Sequence, residues 1–218
     1  MQNTVFSLAS FLIAAVAFGL GAARLFKKKK PLYFQLLVCA AGCFALQMLS
    51  HTVNLWCGVT EEVSIGMLGI FGCNFFLLSA NYGTLDRVVD DGKGSRGARR
   101  LAVLAPVLMA ALTALVFFAW LDQNRLGAWM WLLMLLPAVA ASYFNLKHLL
   151  LPMDPFELLR ATRPCNLAAL AFCVLTALYG FASAAAGAAV TDAFTVLMSL
   201  SMLALVLCSI KGAKQWGI

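Results

Sequence analysis

The sequence predicts an all-α integral membrane protein, a bundle of seven transmembrane helices with the N-terminus outside and the C-terminus in the cytoplasm. Three observations lead to this prediction. Hydrophobic residues make up 63% of the 218 residues and charged residues only 11%, whereas soluble domains carry about 25% charged residues. The apolar residues form seven runs, each long enough to cross a bilayer at about 1.5 Å per residue. The basic residues concentrate in alternate loops between those runs.

The predicted spans are joined by short segments, so we expect one membrane domain over residues 1–218 and no separate soluble domain. Span one carries its basic cluster, RLFKKKK, after the apolar run, which distinguishes it from a secretory signal. Pro164 is expected at the first position of span six, where a missing amide hydrogen is tolerated. In chain order the spans cover residues 4–23, 32–57, 64–85, 101–121, 127–146, 164–186 and 193–210.

The orientation follows from the lysines and arginines, which favour the cytoplasmic side of short loops. All but one of the 16 basic residues fall in loops or at helix ends on a single side of the predicted bundle, and Arg125 is the exception. The basic side is therefore predicted to be cytoplasmic. We expect a multi-pass protein of the cell membrane in contact with the lipid bilayer, and no nucleic-acid partner despite the net charge of +7.

Polar residues inside the spans are the best indicators of function, because they are costly in hydrocarbon and tend to face the bundle interior. Gln47, Ser50 or His51, and Asn54 repeat at the spacing of one face of span two. Asn74 of span three lies ten residues from the outer start of its span, and Gln47 lies ten residues from the outer end of span two. The two amides are thus expected at similar depth.

These residues predict a ligand-binding cavity in the outer half of the bundle, reached also by Tyr179 of span six. Glu61 and Glu62 would form its outer rim and attract cations. The alternative is structural, since amides and hydroxyls also hydrogen-bond neighbouring helices together. The glycines of GMLGIFG at the start of span three, Gly66, Gly69 and Gly72, are expected to allow close helix packing.

Catalysis or cofactor binding at His51 is not favoured. The second histidine, His148, is predicted at the cytoplasmic end of span five, too far away to share a metal ion or a haem. No carboxylate is expected at the depth of His51, and a hydrolytic site would need such a partner. Seven spans with the N-terminus outside are similar to microbial rhodopsins, in which a lysine in the middle of span seven holds retinal, but Lys211 lies only at the inner edge of this span. We therefore expect no cofactor and no metal, and we do not expect an enzyme.

The function that best fits this pattern is a sensor or receptor that binds a small molecule in the outward-facing cavity. Such a protein would need a cytoplasmic or membrane partner, and the residues proposed to contact it are Asp86, Arg87, Arg99 and Arg100. Two alternatives stay open: a facilitative transporter of a small solute, and a non-catalytic membrane subunit of a larger complex.

Overall fold

All regular structure is helical in the part of the chain that the computed structural model describes, which is residues 4–27, 30–59, 66–86, 96–151 and 158–215. A π-helical segment, Asn81–Leu85, continues the third helix, and one turn at Val103 divides the fourth into Arg96–Ala102 and Leu104–Leu121. The seven helices are α1 Thr4–Leu25, α2 Leu32–Trp56, α3 Met67–Ala80, α4 Arg96–Leu121, α5 Arg125–Leu150, α6 Leu158–Ala185 and α7 Ala188–Gln215.

Six of these helices, α3 being the exception, are long and apolar enough to cross a membrane. The prediction of an all-helical protein is confirmed, and six helices that could cross a membrane agree with a multi-pass membrane protein. α3 itself has 14 α-helical residues, and the π-helical segment carries the helical stretch on to Leu85, the predicted end of span three. The side of the membrane on which each terminus lies stays a prediction.

Six of the described helices form a ring in the order α1, α2, α3, α5, α6, α7. α1 packs on α2 and α7, α3 packs on α2 and α5, and α6 packs on α5 and α7, while α4 lies outside the ring against α5 and α6. We call the end of the bundle that contains Leu32, Asp86 and Leu150 the basic end. The other end, which contains Trp56 and Trp120, is the tryptophan end.

Small residues allow α1 to approach its neighbours closely. Its buried positions are Ser7, Ser10, Ala14, Ala17 and Gly21, which recur every three or four residues and so form one stripe. A Cβ atom on Gly21 would lie 2.8 Å from Val38 of α2 and 3.5 Å from Val206 of α7. Because lipid is as apolar as the helices, close packing of this kind drives association in membranes.

α6 begins earlier than expected, at Leu158 rather than at Pro164. Proline removes only one backbone hydrogen bond, and tertiary contacts stabilise the turns before it. Ala161 and Thr162 are buried, and the Arg163 guanidinium donates a 2.6 Å hydrogen bond to the Leu151 carbonyl.

Candidate functional site

Gln47 and Ser50 line a groove between α2 and α3 in the tryptophan half of the bundle. The groove has a volume of about 360 Å³ and is also lined by Cys43, Leu46, Gly66, Leu68 and Gly69. Leu46 and Leu68 are exposed, so the groove opens on the surface of the bundle that faces away from its core. The Gln47 side chain is only 5% exposed, and within the described residues its Oε1 atom has no hydrogen-bond partner.

The glycines of α3 shape this groove. A Cβ atom on Gly66 would lie 2.7 Å from Ser50 Oγ and 2.9 Å from Gln47 Oε1, and one on Gly69 would lie 2.6 Å from the Cys43 carbonyl oxygen. Real Cβ atoms do not approach other atoms so closely, so only glycine permits this distance between α2 and α3. The close packing predicted for Gly66, Gly69 and Gly72 is confirmed.

Asn74 is not part of the groove. It is fully buried, and its Nδ2 atom donates a 3.1 Å hydrogen bond to the Met134 carbonyl of α5. Five residues separate Asn74 from Gly69, which places the two about 140° apart on a helix of 3.6 residues per turn. Because the glycines face α2, Asn74 faces α5, and the structure does not bring its amide to Gln47.

A carboxylate that was not expected at this depth lies near His51 and Tyr179. Asp192 of α7 is 7% exposed, and it is close enough to both side chains for an electrostatic interaction. The expectation that no carboxylate accompanies His51 was wrong, because α7 begins at Ala188 and not at residue 193. Asp192 therefore lies inside the helix. The Tyr179 ring also packs edge to face on Trp131, with ring centroids 5.8 Å apart.

The other residues of the predicted outer cavity lie apart from the groove or outside the described residues. Asn54 is half-buried near the end of α2, and its carbonyl accepts a 2.9 Å hydrogen bond from the Val59 amide. Glu61 and Glu62, the predicted rim, fall in a segment that the structure does not describe. The groove thus brings together Gln47 and Ser50, while His51 and Tyr179 each lie within electrostatic range of Asp192.

A second polar cluster lies at the basic end and joins α3 to α5. The Lys147 ammonium contacts Asp86 Oδ1 at 2.6 Å, and His148 Nε2 lies 3.2 Å from the same oxygen. His148 Nδ1 lies 3.1 Å from Asn81 Oδ1, and Asn81 Nδ2 donates a 2.7 Å hydrogen bond to Asn145 Oδ1. We call these five residues, Asn81, Asp86, Asn145, Lys147 and His148, the Asp86 network.

Most of the Asp86 network is buried, although it contains three ionisable groups. Asn81, Asn145 and His148 are fully buried, Lys147 is 4% exposed, and the Asp86 side chain is 23% exposed. Ionisable groups inside a membrane bundle are costly and usually functional. Asp86 is the one member of the network that reaches the surface.

The sequence could not indicate this network because it depends on the π-helical segment. Asn81 and Asp86 are five residues apart and would point in different directions on an α-helix. Here the Asp86 amide donates to the Asn81 carbonyl, the i to i+5 bond of a π-helix, and such segments are frequent at functional sites. The one available signal was the group of polar residues Asn145, Lys147 and His148 at the end of span five.

The residues predicted to contact a partner are distributed around this end. The Asp86 carboxylate contacts Lys147 and His148, so it belongs to the Asp86 network. Arg99 is half-buried and Arg100 is exposed, and both lie on the Arg96–Ala102 segment, which packs on α5. Arg87 lies outside the described residues.

No group of three or more His, Cys, Asp or Glu residues that could hold a metal ion occurs within the described ranges. A larger cavity of about 610 Å³ lies between α4, α5 and α6, and its lining is apolar; it includes Leu104, Leu108, Leu112, Leu146 and Val174. That cavity offers no polar group to orient a ligand, whereas the α2–α3 groove offers Gln47 and Ser50. No family model, curated protein or solved structure matches the chain.

Proposed function

We propose that the protein is a sensor of the cell membrane, which binds a small molecule in the α2–α3 groove from the outer side. The observation that carries this proposal is the position of α3. Gly66 and Gly69 at one end of it form a wall of the groove, and Asn81 and Asp86 at the other end belong to the Asp86 network. At about 1.5 Å per residue this helical stretch is about 30 Å long, and it connects the two sites directly.

The chemistry of the groove favours a small amphiphile that carries a hydrogen-bond donor. The buried Gln47 Oε1 atom accepts no hydrogen bond from a described residue, and a buried acceptor left in this state costs about 1–3 kcal/mol. A ligand hydroxyl, amide or ammonium group would satisfy it. Leu46 and Leu68 would cover the apolar part of the ligand, and because both side chains are exposed we expect the entrance to face lipid.

The signal would leave at the basic end, which the positive-inside rule assigns to the cytoplasm. The described chain contains helices alone, so a sensor of this kind acts through a partner protein. Arg99, Arg100 and Arg87 are the proposed contacts, and their charge favours an acidic surface on that partner. Asp86 would act indirectly, by holding α3 against α5.

A facilitative transporter is less well supported, because a solute would have to pass from the groove to the basic end through a packed core. Phe44, Leu77 and Phe172 are fully buried along this route, and the rings of Phe44 and Phe172 meet edge to face at 5.1 Å. The role of a non-catalytic subunit remains compatible with this proposal, since sensing itself requires a partner.

The proposal can be tested by thermal unfolding of the protein in nanodiscs, against a panel of amphiphiles that carry hydroxyl, amide or ammonium donors. A ligand at 100 times its Kd stabilises a protein by about 2.7 kcal/mol. Ser50→Leu, which fills the groove, should abolish this stabilisation, and Ser50→Ala, which leaves it open, should retain it. Compounds that stabilise both variants equally bind elsewhere, and such a result would contradict the proposed site.

Sensing and transport are then distinguished with the same compounds. A sensor ligand should change the hydrogen exchange of backbone amides 81–86 without accumulating in proteoliposomes. Uptake into proteoliposomes with unchanged exchange at these amides would instead support the transporter.

A further inference from the structure

His148 has an oxygen acceptor within hydrogen-bond distance of each ring nitrogen. Asn81 Oδ1 lies 3.1 Å from Nδ1, and Asp86 Oδ1 lies 3.2 Å from Nε2. A neutral imidazole carries one N–H donor and one acceptor nitrogen, so it can serve only one of these oxygens. The imidazolium ion carries two donors and serves both. With the Asn81 amide oxygen directed at Nδ1, a protonated His148 beside an ionised Asp86 satisfies all of these contacts.

A protonated Asp86 beside a neutral imidazole would carry the same number of protons, but Lys147 disfavours it. The Lys147 ammonium donates to Asp86 Oδ1, the oxygen that also faces His148. An ammonium donor at 2.6 Å makes a stronger hydrogen bond to a charged oxygen than to a neutral one. We therefore assign the proton of the pair to the imidazole in this arrangement.

The same network can also accommodate a neutral His148. If the side-chain amides of Asn81 and Asn145 both rotate by about 180°, Asn81 Nδ2 can donate to His148 Nδ1, and Asn145 Nδ2 can donate to Asn81 Oδ1. His148 then keeps a single hydrogen on Nε2, directed at Asp86. Asn145 Nδ2 has no hydrogen-bond partner among the described residues in the present arrangement, so the rotation exchanges one unpaired amide atom for another.

We propose that Asp86 and His148 form a proton-binding site, and that its occupancy sets the orientation of the Asn81 and Asn145 amides and the strength of the contact between α3 and α5. The bound proton turns the Asp86–His148 contact into an ion pair as well as a hydrogen bond, which is stronger than the bond from a neutral imidazole to the same carboxylate. Its release leaves a weaker bond and a reoriented amide pair. Proton binding here does not require a ligand in the α2–α3 groove, so this proposal is tested separately from the proposed function.

Two charged groups contact the site, and the helices that pack on α5 carry further basic residues. Asp86 of α3 attracts the proton, while Lys147 on α5 itself repels it. Arg99 and Arg100 lie on the segment of α4 that packs on α5, and Arg163 of α6 is bonded to Leu151, next to the end of α5. The Asp86 side chain, 23% exposed, gives the proton a route to water at the basic end, whereas His148 is fully enclosed.

The test uses the small number of histidines, because the chain contains only two. Protein labelled with ¹⁵N-histidine gives two sets of imidazole resonances, and His51→Gln identifies those of His148. The ¹⁵N shifts distinguish the imidazolium from each neutral tautomer. We expect the imidazolium at about pH 5 and the neutral Nε2–H tautomer at about pH 8, the range over which histidine charge changes. The side-chain amide resonances of Asn81 and Asn145 should move together with the imidazole.

Two variants separate the proton site from a purely structural role. Asp86→Asn removes the charge that holds the proton and should leave His148 neutral at about pH 5. Lys147→Gln keeps both members of the pair and should retain the titration. If Asp86→Asn fails to fold, the ¹⁵N spectrum of His148 in the protein without substitutions at the site still tests the proposal. A single protonation state of His148 from about pH 5 to about pH 8, or a neutral Nδ1–H tautomer, would overturn the proposal.

Discussion

The Lys147 ammonium lies 2.6 Å from the Asp86 carboxylate and ties α5 to α3 at the basic end of the bundle. Lys147 is the more buried partner, at 4% exposure against 23% for Asp86. Removing one member of a buried ion pair is costly mainly because the other charge is left unpaired. The two members are therefore expected to respond differently to substitution.

Asp86→Asn should destabilise the protein by about 3 kcal/mol, because it leaves both Lys147 and His148 without their carboxylate. Lys147→Met should cost only about 1 kcal/mol, since Asp86 keeps His148 and its contact with water. Unfolding of the two variants in the same detergent measures the difference. Equal losses of stability would contradict the expectation that His148 and water still stabilise the Asp86 carboxylate when Lys147 is replaced.

Because α2 and α3 pack closely, substitution of Gly69 by alanine should lower stability strongly, whereas the same change at a glycine in open space should have almost no effect. Gly69→Ala should destabilise by about 1–3 kcal/mol, because its Cβ would overlap the Cys43 carbonyl oxygen and the backbone would have to move. Gly19→Ala is the matched control, because no atom lies within 4 Å of its Cβ position. Thermal unfolding should leave the control unchanged or slightly more stable. Similar losses for both substitutions would argue against close packing at Gly69.

His51 and Asp192 should be energetically coupled. A double-mutant cycle with His51→Ala and Asp192→Asn should give an interaction energy of about 0.5–3 kcal/mol, the range for groups in one network. The same His51 substitution combined with Lys147→Met at the basic end should be additive, because the two sites lie at opposite ends of the bundle. A coupling energy near zero for His51 and Asp192 would remove the proposed partnership.

Substitution of Gln47 distinguishes a ligand-binding groove from polar residues that only hydrogen-bond two helices together. If Gln47 serves a ligand, Gln47→Leu should keep or raise the thermal stability of the ligand-free protein, because a buried acceptor without a partner is removed. The same variant should lose the stabilisation that groove ligands provide. A drop of about 1 kcal/mol or more without ligand would instead favour the cross-link.

The sequence predicted the helices well but only part of their polar contacts. Seven apolar runs mark seven helices, because length and hydrophobicity alone determine what can cross a bilayer. The spacing of Gln47 and Ser50 along span two placed both in the groove. Asn74 was expected on the same side, but the register of α3 turns it toward α5. Depth along a span follows from counting residues, whereas rotation about the helix axis depends on the packing of neighbouring helices.

Two further features lay beyond single-sequence reasoning for specific physical reasons. Asp192 was assigned to a loop because the apolar run begins at residue 193, although the helix itself starts five residues earlier, at Ala188. The Asp86 network requires a π-helical turn, and the polar pattern of residues 81–86 does not distinguish it from an α-helix. Both errors concern the ends of helices, where local sequence is least informative.

The central claim, that α3 connects the groove to the Asp86 network, can be tested without knowing the ligand. In a protein whose seven native cysteines are replaced, Ser50→Cys is labelled with N-ethylmaleimide to occupy the groove. Hydrogen exchange of backbone amides 81–86 is then compared before and after labelling. The account predicts altered protection at these amides, with unchanged protection in α4, which lies outside the ring. Complete labelling with unaltered exchange at residues 81–86 would contradict it.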